Sequence, residues 1–188
     1  MYVSTDYVFD GTQTTPYHEE DAPHPINVYG QSKRAGEIAA LADCPNTLVV
    51  RTAWLYGHAG SNFVKTIMRL ASEKPFLDVV GDQRGCPTNA DDLAKVLKDL
   101  AASELRGICH VTNTGDCTWH EFAEAIVSFM DLSIPVRPIT TAQAGRLARR
   151  PPYSVLAQGR LSTVRTPLPH WKDALARFMN ATSHLASC

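Results

Sequence analysis

Residues 27–50 read NVYGQSKRAGEIAALADCPNTLVV, a stretch with helix-forming residues that ends in a short run of apolar and β-branched residues. Asn27 is a residue type that caps the N terminus of helices, and residues 43–46 contain a proline that stops one. We therefore predict a helix from Asn27 to about Ala42. Its predicted buried side consists of small and apolar residues: Ala35, Ile38, Ala39, Leu41 and Ala42. Residues 47–50 predict a buried parallel strand.

The same alternation continues on both sides of this stretch. Residues 1–4 predict the end of a strand, and residues 12–25 a loop rich in Pro, Thr, His and acidic residues. Further strands are predicted at 77–80, 108–111 and 136–139, with a polar loop at 81–89. Apolar residues at helical spacing predict further helices at 63–70, at 93–100 and around 175–178. Another helix is predicted from the capping box at 118–121 to Met130. Alternating strands and helices predict an α/β fold with a mainly parallel sheet.

The composition limits the class of protein. Hydrophobic residues make up 44% and charged residues 20% of the 188, as in ordinary globular proteins. A net charge of -1 without charge blocks speaks against nucleic acid and anionic membranes as partners. The sequence has no apolar run long enough to span a membrane.

Cysteines and histidines predict neither a disulfide framework nor a metal site. The five cysteines are odd in number and lack CxxC spacing, which favours reduced thiols in a cytoplasmic protein. The pairs His18 and His24, or His110 and His120, lack HxxxH spacing and a nearby third ligand. We therefore expect no metal.

Two groups of polar residues carry candidate chemistry. Tyr29 and Lys33 lie four residues apart and so on one face of the predicted helix. An ammonium near a phenol favours the phenolate, and such a tyrosine can give a proton to a carbonyl oxygen. Ser4, Thr5 and Asp6 end the first predicted strand, where side chains of a parallel sheet face a ligand crevice. Taken alone, each pattern is explained more simply without chemistry, the first by a half-buried tyrosine with a solvated lysine and the second by a turn that closes the strand.

Their sequence context resembles the extended short-chain dehydrogenase/reductases, and more narrowly the dTDP-4-dehydrorhamnose reductase family. The resemblance covers about residues 2–180 and rests on motifs that occur in the family's order. They are STDYVFDG at 4–11, PY at 16–17, Glu19, Asp21, NVYGQSK at 27–33, RTAWLYG at 51–57, NF at 62–63, DQRGCPT at 82–88 and RPPYSVL at 150–156.

The resemblance implies roles for matching residues. Tyr29 is implied as the catalytic acid, Lys33 as the residue that activates it and holds the nicotinamide ribose, and Thr5 as the hydroxyl that polarises the C4 carbonyl. The backbone of Val3 is implied to approach the cofactor. Asp6 and Trp54 are implied to contact the sugar, and Arg84 or Arg150 the diphosphate.

The implied activity is the reduction of dTDP-4-dehydro-β-L-rhamnose to dTDP-β-L-rhamnose by NADPH or NADH. The implied partner is a small nucleotide-sugar substrate, and a homodimer is compatible with the family. The implied fold is the C-terminal part of a Rossmann-like, doubly wound parallel sheet with a small α/β substrate-binding subdomain. We assign residues 1–60 to the remainder of the dinucleotide-binding domain, 61–180 to the mixed subdomain and late Rossmann elements, and 181–188 to a tail.

The sequence departs from the family at Ala157, where the family usually has an acid or an amide, and more importantly in the cofactor segment. Neither G-x-G-x-x-G nor G-x-x-G-x-x-G occurs, although such a turn normally brings backbone amides to the cofactor's pyrophosphate. We therefore expect the family's N-terminal glycine-rich cofactor segment to be missing, and the chain by itself to bind cofactor weakly.

Three alternatives stay open beside the reductase. The first is a non-catalytic protein like the regulatory β subunit of methionine adenosyltransferase, against which Trp54 and the Ser4–Thr5–Asp6 group speak. The second is another nucleotide-sugar enzyme of the extended family, such as an epimerase or a dehydratase. Tyr7 after Asp6 disfavours a dehydratase, which usually has an acid there. The third is an inactive fragment that retains the substrate-binding surface.

Overall fold

A computed structural model describes residues 1–186, whose elements alternate as predicted. The strands are β1 (Tyr2–Thr5), β2 (Leu48–Thr52), β3 (Leu55–Tyr56), β4 (Leu77–Val80), β5 (Arg84–Gly85), β6 (Thr88–Asn89), β7 (Gly107–His110), β8 (Asn113–Thr114), β9 (Cys117–Thr118), β10 (Val136–Ile139) and β11 (Leu168–His170). The helices are α1 (Val28–Asp43), α2 (Phe63–Glu73), α3 (Ala90–Ala101), α4 (Trp119–Phe129) and α5 (Trp171–Ala186), with short 3₁₀ turns at Asp6–Val8 and Leu161–Thr163.

A parallel sheet in the order β1-β2-β7 forms the first layer of the protein. Leu48 and Val50 of β2 pack with the apolar side of α3 in one hydrophobic cluster. Arg51, the next residue along β2, lies on the opposite face and pairs with Glu37 of α1. Because side chains alternate along a strand, the two helices cover opposite faces of this sheet. Helices on both faces are the arrangement of a doubly wound α/β sheet.

A second, smaller unit is built from β4 and β10, which pair in parallel, and from helices α2 and α4. Its core contains the fully buried side chains of Val64, Phe122 and Ile126, joined by Phe178 of α5. Burying one such side chain contributes roughly 1.5–3 kcal/mol, so this cluster can hold the unit together. The predicted domain division at residue 60 stays a prediction. Strand β7 and helix α3, which lie in the predicted range 61–180, belong to the first sheet layer.

A third cluster joins the end of β1 to a late segment of the chain. Phe9 stacks on Tyr17 with ring centroids 4.1 Å apart, and Leu156 pairs with Tyr17 in an isolated β-bridge. Ser154 Oγ donates a hydrogen bond of 2.6 Å to Asp6. These contacts bring two motifs from opposite ends of the sequence to the C-terminal end of β1.

The N-cap predicted for α1 is present, but the prediction of its buried side is wrong. The Asn27 side chain accepts from the Gly30 backbone, as a cap should. Ala35, Ile38, Ala39 and Ala42 are exposed, however, and Leu41 is only half-buried. Glu37 and Gly30 are the buried residues of the helix. The sheet presents Ser4 and Arg51 to α1, so the helix turns its carboxylate inward and its apolar residues outward.

Two shorter segments also differ from the prediction. The predicted loop 81–89 contains the two-residue strands β5 and β6, which pair with β9 and β3. Helix α5 continues beyond Ala181, where the tail was predicted to start, to Ala186. Residues 187 and 188, the rest of that predicted tail, lie outside the described residues.

The described residues also show the state of four cysteines, the character of the helices and the grouping of possible metal ligands. Cys44, Cys86, Cys109 and Cys117 are free thiols. Within residues 1–186, none of the helices combines the length and the apolar character needed to cross a bilayer. Nor do three His, Cys, Asp or Glu side chains of these residues gather where they could hold a metal ion.

Candidate active site

Strand β1 and the first half of α1 bring Val3 and Lys33 together. The Lys33 ammonium donates a 2.7 Å hydrogen bond to the Val3 carbonyl oxygen. It also lies 4.4 Å from the centre of the Tyr2 ring, in the range of a cation–π contact. Val3 is 40% exposed, so its carbonyl group and the lysine form an accessible polar pair on the edge strand β1 of this sheet.

Tyr29 lies on the same helix, one turn before Lys33, and is 55% exposed. Its ring meets the ring of Tyr7 edge-on, with centroids 6.0 Å apart. Both tyrosines line a cavity of about 490 Å³ together with Ile26, Leu147 and Arg150. The catalytic tyrosine predicted from the sequence therefore faces a space that can hold a small molecule.

Thr5 and Asp6 lie close to this cavity but face inward. The Thr5 hydroxyl donates to Asp6 Oδ1 at 3.1 Å and accepts from the Tyr7 backbone N–H. Asp6 Oδ2 accepts from Ser154. Burial raises the pKa of Asp6 to about 6, and the hydrogen bonds from Ser154 and Thr5 offset part of that rise. Asp6 thus has both carboxylate oxygens engaged by hydrogen bonds, and its contact with the sugar stays a prediction.

Tyr7 is a site residue that the sequence reasoning did not assign. Burial, reinforced by the charge of Asp6, raises the pKa of Tyr7 to about 12, against the opposing effect of Arg150 and Arg146. It therefore stays a neutral phenol beside Tyr29. Its place within the STDYVFDG motif was the available signal.

Trp54 is held as part of a stack between the two units. Its backbone has φ 46°, in the left-handed region, and its indole lies against Gly85, where a Cβ would clash with the ring. The ring stacks on Trp119 with centroids 3.5 Å apart and an interplanar angle of 6°. Trp119, which the sequence analysis did not single out, lines a second cavity, whereas Trp54 supports it from behind.

This second cavity has a volume of about 730 Å³. Phe63 and Trp119 supply aromatic surface to it, and Arg146 and Arg150 supply positive charge. Arg150 lines both this cavity and the one at Tyr29. Burial and the positive charge of Arg150 lower the pKa of Arg146. Neither forms an ion pair with a carboxylate of residues 1–186.

Arg84, the other candidate for a diphosphate, is engaged elsewhere. Its guanidinium pairs with Asp116 at 2.6 Å and with Glu121 at 3.2 Å. The hydrogen bond from Arg84 to Asp116 raises the pKa of the arginine above its ordinary value. Of the two arginines named from the sequence, only Arg150 reaches a cavity at the site, and Arg146 joins it there.

Two of the four histidines considered as ligands, His110 and His120, serve the fold, whereas His18 and His24 are exposed. His110 is buried, its Nδ1 faces the Ala157 carbonyl oxygen at 3.0 Å, and burial lowers its pKa to about 3. His120 Nε2 lies 3.0 Å from the Val136 carbonyl oxygen. Each imidazole therefore ties neighbouring backbone segments together.

Known proteins with similar sequences and structures extend this description. Residues 1–184 match the model of the RmlD substrate binding domain. The chain is 42% identical over 183 residues to the spore coat polysaccharide biosynthesis protein SpsK of Bacillus subtilis, covering 97% of this chain and 64% of that protein. It is 44% identical over 183 residues to a dTDP-4-dehydrorhamnose reductase of Streptomyces griseus, covering 93% of this chain and 60% of that one.

A crystal structure of dTDP-4-dehydrorhamnose reductase from Bacillus anthracis in complex with NADP superposes with a TM-score of 0.93 at 42% identity, covering 96% of this chain and 64% of that one. The chain thus spans about 60–64% of the length of these relatives. The likeness confirms the predicted α/β fold, and the match over residues 1–184 confirms the resemblance found in the motifs. The chain belongs to the RmlD substrate-binding domain family.

Proposed function

We propose that this protein takes part in the reduction of dTDP-4-dehydro-β-L-rhamnose to dTDP-β-L-rhamnose by NADPH or NADH. The observation that carries the proposal is the position of Arg150 between two cavities, one lined by Tyr29 and the other by Trp119 and Arg146. A nucleotide sugar has its reacting hexose and its base on opposite sides of a diphosphate. An arginine between a proton donor and an aromatic cavity matches that order.

The chain can supply residues that bind the nicotinamide end of the cofactor. The related B. anthracis enzyme has NADP bound. In this chain, the Val3 carbonyl and the Lys33 ammonium lie side by side, exposed, on the edge strand β1. A carbonyl acceptor and an ammonium donor fit the amide and ribose hydroxyls of a nicotinamide nucleotide, which supplies hydride when bound.

Tyr29 is the proton donor in this proposal. Its phenol is exposed to the smaller cavity, and Lys33 follows one turn later on the same side of α1. Proton transfer to the developing alkoxide at C4 would come from the Tyr29 hydroxyl. The Thr5 hydroxyl donates to Asp6 in this structure. It would have to rotate away from Asp6 to donate a hydrogen bond to the C4 oxygen of the substrate.

The larger cavity would receive the nucleotide. Aromatic surface from Phe63 and Trp119 suits a pyrimidine base, and Arg146 and Arg150 suit the diphosphate charge. Trp54 would then act through Trp119, whose ring it supports.

NADPH oxidation after addition of dTDP-4-dehydrorhamnose tests the proposal, both in this chain and in any longer product of its reading frame. Tyr29→Phe should lower turnover by at least about 100-fold, since it removes the proton donor and little else. Tyr153→Phe is the matched control and should keep parental turnover. Turnover that persists in Tyr29→Phe would refute the assigned acid. No turnover in any form would favour the non-catalytic alternative.

We further infer a cytoplasmic protein that forms a homodimer. Free thiols support a reducing compartment, and the homodimer rests on the family resemblance alone. Light scattering of the purified protein would test the second point, and a monomer at micromolar concentration would contradict it.

A further inference from the structure

The side chain of Asn27 uses both ends of its amide. Its Oδ1 accepts from the Gly30 backbone N–H at 2.7 Å, and its Nδ2 donates to the Arg149 carbonyl oxygen at 2.9 Å. If the amide were flipped, its NH₂ group would face the Gly30 N–H and its oxygen would face the Arg149 carbonyl oxygen. The two partners therefore define which end is oxygen and which is nitrogen.

Each of these hydrogen bonds holds one part of the candidate site. The first caps α1, whose opening turn contains Tyr29. The second holds the peptide group that joins Arg149 to Arg150, and Arg150 lines both cavities. One side chain therefore connects the backbone next to the proton donor with the backbone next to the arginine.

The segment before Arg149 makes few hydrogen bonds to distant parts of the described chain, although residues 140–145 form a turn with bonds of its own. Thr141 is anchored by its N–H and hydroxyl to Asp82. Beyond it, Gly145 has φ +60° with open space around it, and Leu147 is fully exposed. After these contacts and the local turn bonds of residues 140–145, the next hydrogen bond from this segment to another part of the described chain is the one between Asn27 and Arg149. This bond therefore limits how far the segment that carries Arg146 and Arg150 can move from α1.

We propose that Asn27 is a positioning residue that sets Arg150 relative to Tyr29, so that a diphosphate bound by the arginine leaves its sugar at the phenol. This inference rests on the proposed function and deepens it. Helix capping alone does not require asparagine, because Asp, Ser and Thr cap about as well. Aspartate lacks the donor that reaches Arg149, and serine is shorter, so neither would replace the second bond.

Asn27→Asp separates the two roles, since it keeps the capping oxygen and removes the donor. Thymidine diphosphate binding, measured by calorimetry on the folded chain, should weaken about three- to tenfold, as expected for one lost hydrogen bond. Asn27→Ser should behave similarly. Asn46→Asp, an exposed site at the far end of α1, adds the same charge and should change affinity less than twofold. Circular dichroism and the melting temperature should stay near parental values for all three.

A double-mutant cycle with Arg150→Gln gives the decisive readout. If Asn27 acts through Arg150, then Asn27→Asp should weaken binding less than twofold once Arg150 has been replaced. Equal effects in both backgrounds would show a merely structural role and overturn the inference. Parental affinity in Asn27→Asp would overturn it too, while leaving the proposed function intact. A parental chain that does not bind thymidine diphosphate would overturn both.

Discussion

Glu37 shows how one charged residue can decide the orientation of a helix. Its carboxylate is buried and accepts from Ser4 Oγ at 2.6 Å and from Arg51 Nε and Nη2 at 2.8 Å each. Burial opposes its ionisation, but the bonds and charge of Arg51 outweigh burial and lower the pKa of Glu37. The pair therefore ties α1 to both β1 and β2.

Replacing Glu37 with glutamine should destabilise the protein strongly. The neutral amide would leave Arg51 as a buried, unpaired charge, which costs about 3–5 kcal/mol of unfolding free energy. Urea denaturation would measure this. Glu73→Gln removes the exposed pair with Arg69 and should cost only about 0.5 kcal/mol. Similar losses in both variants would show that burial of the first pair is unimportant.

Asp6 makes stability depend on pH with the opposite sign from most carboxylates. Its pKa is about 6 in the folded protein, against an ordinary value of 3.8. Below about pH 4 the group is protonated in both states and carries no penalty. As the pH rises towards 6 the unfolded chain ionises first, so this residue lowers the free energy of unfolding, and the loss is complete above pH 6.

Asp6→Asn should therefore gain stability relative to the parent between pH 4 and pH 6. A shift of about two pKa units corresponds to a difference on the order of 2–3 kcal/mol between the two ends of that window. Denaturation at a series of pH values would show it, with the surface variant Asp78→Asn as control. A constant difference between Asp6→Asn and parent over the window would contradict the raised pKa.

At the scale of elements, the start of α1 depends on a close approach of two backbones. Gly30 lies over the Tyr7 carbonyl oxygen, where an added Cβ would clash with a backbone atom. This contact sets Tyr29 beside Tyr7. A glycine within a helix normally lowers stability by up to about 1 kcal/mol relative to alanine, so close packing, and not helix propensity, accounts for Gly30.

Gly30→Ala should consequently destabilise the protein by about 1–3 kcal/mol although alanine favours helices. Thermal unfolding would measure the loss. At Gly159 an added Cβ would meet Glu19 at an ordinary 3.4 Å, so Gly159→Ala should stay within about 0.5 kcal/mol of the parent. A more stable Gly30→Ala variant would show that α1 can shift away from Tyr7 at no cost.

Over the whole molecule, the stacked pair Trp54 and Trp119 connects the parallel sheet to the smaller unit. Trp54 follows β2, and Trp119 opens α4 and lines the larger cavity. Trp171, the third tryptophan, is buried in the core of the smaller unit. A ligand in the larger cavity would therefore contact one tryptophan of the three.

Thymidine diphosphate should consequently change the intrinsic fluorescence, and Trp119→Phe should remove most of that change. Trp171→Phe, the matched control, should retain it because its ring lies away from the cavity. A signal that survives in Trp119→Phe and disappears in Trp171→Phe would place the nucleotide elsewhere.

The sequence by itself determined those features whose causes lie within a few residues. The caps at Asn27 and Thr118, the strands at 77–80 and 136–139, and the shared helix face of Tyr29 and Lys33 all follow from local hydrogen bonds and periodicity. The ordered motifs were also sufficient to identify the family.

Only the tertiary structure decided which side of each element meets which neighbour. Apolar periodicity placed Ile38 inside, but Arg51 on the adjacent strand draws Glu37 there instead. Asp6 accepts a hydrogen bond from Ser154, a residue far along the chain. Arg84 forms an ion pair with Asp116, whereas Arg150 lines the cavities. Such contacts join groups that meet only after folding, and a buried charge such as that of Glu37 is stable only where the fold brings a partner to it.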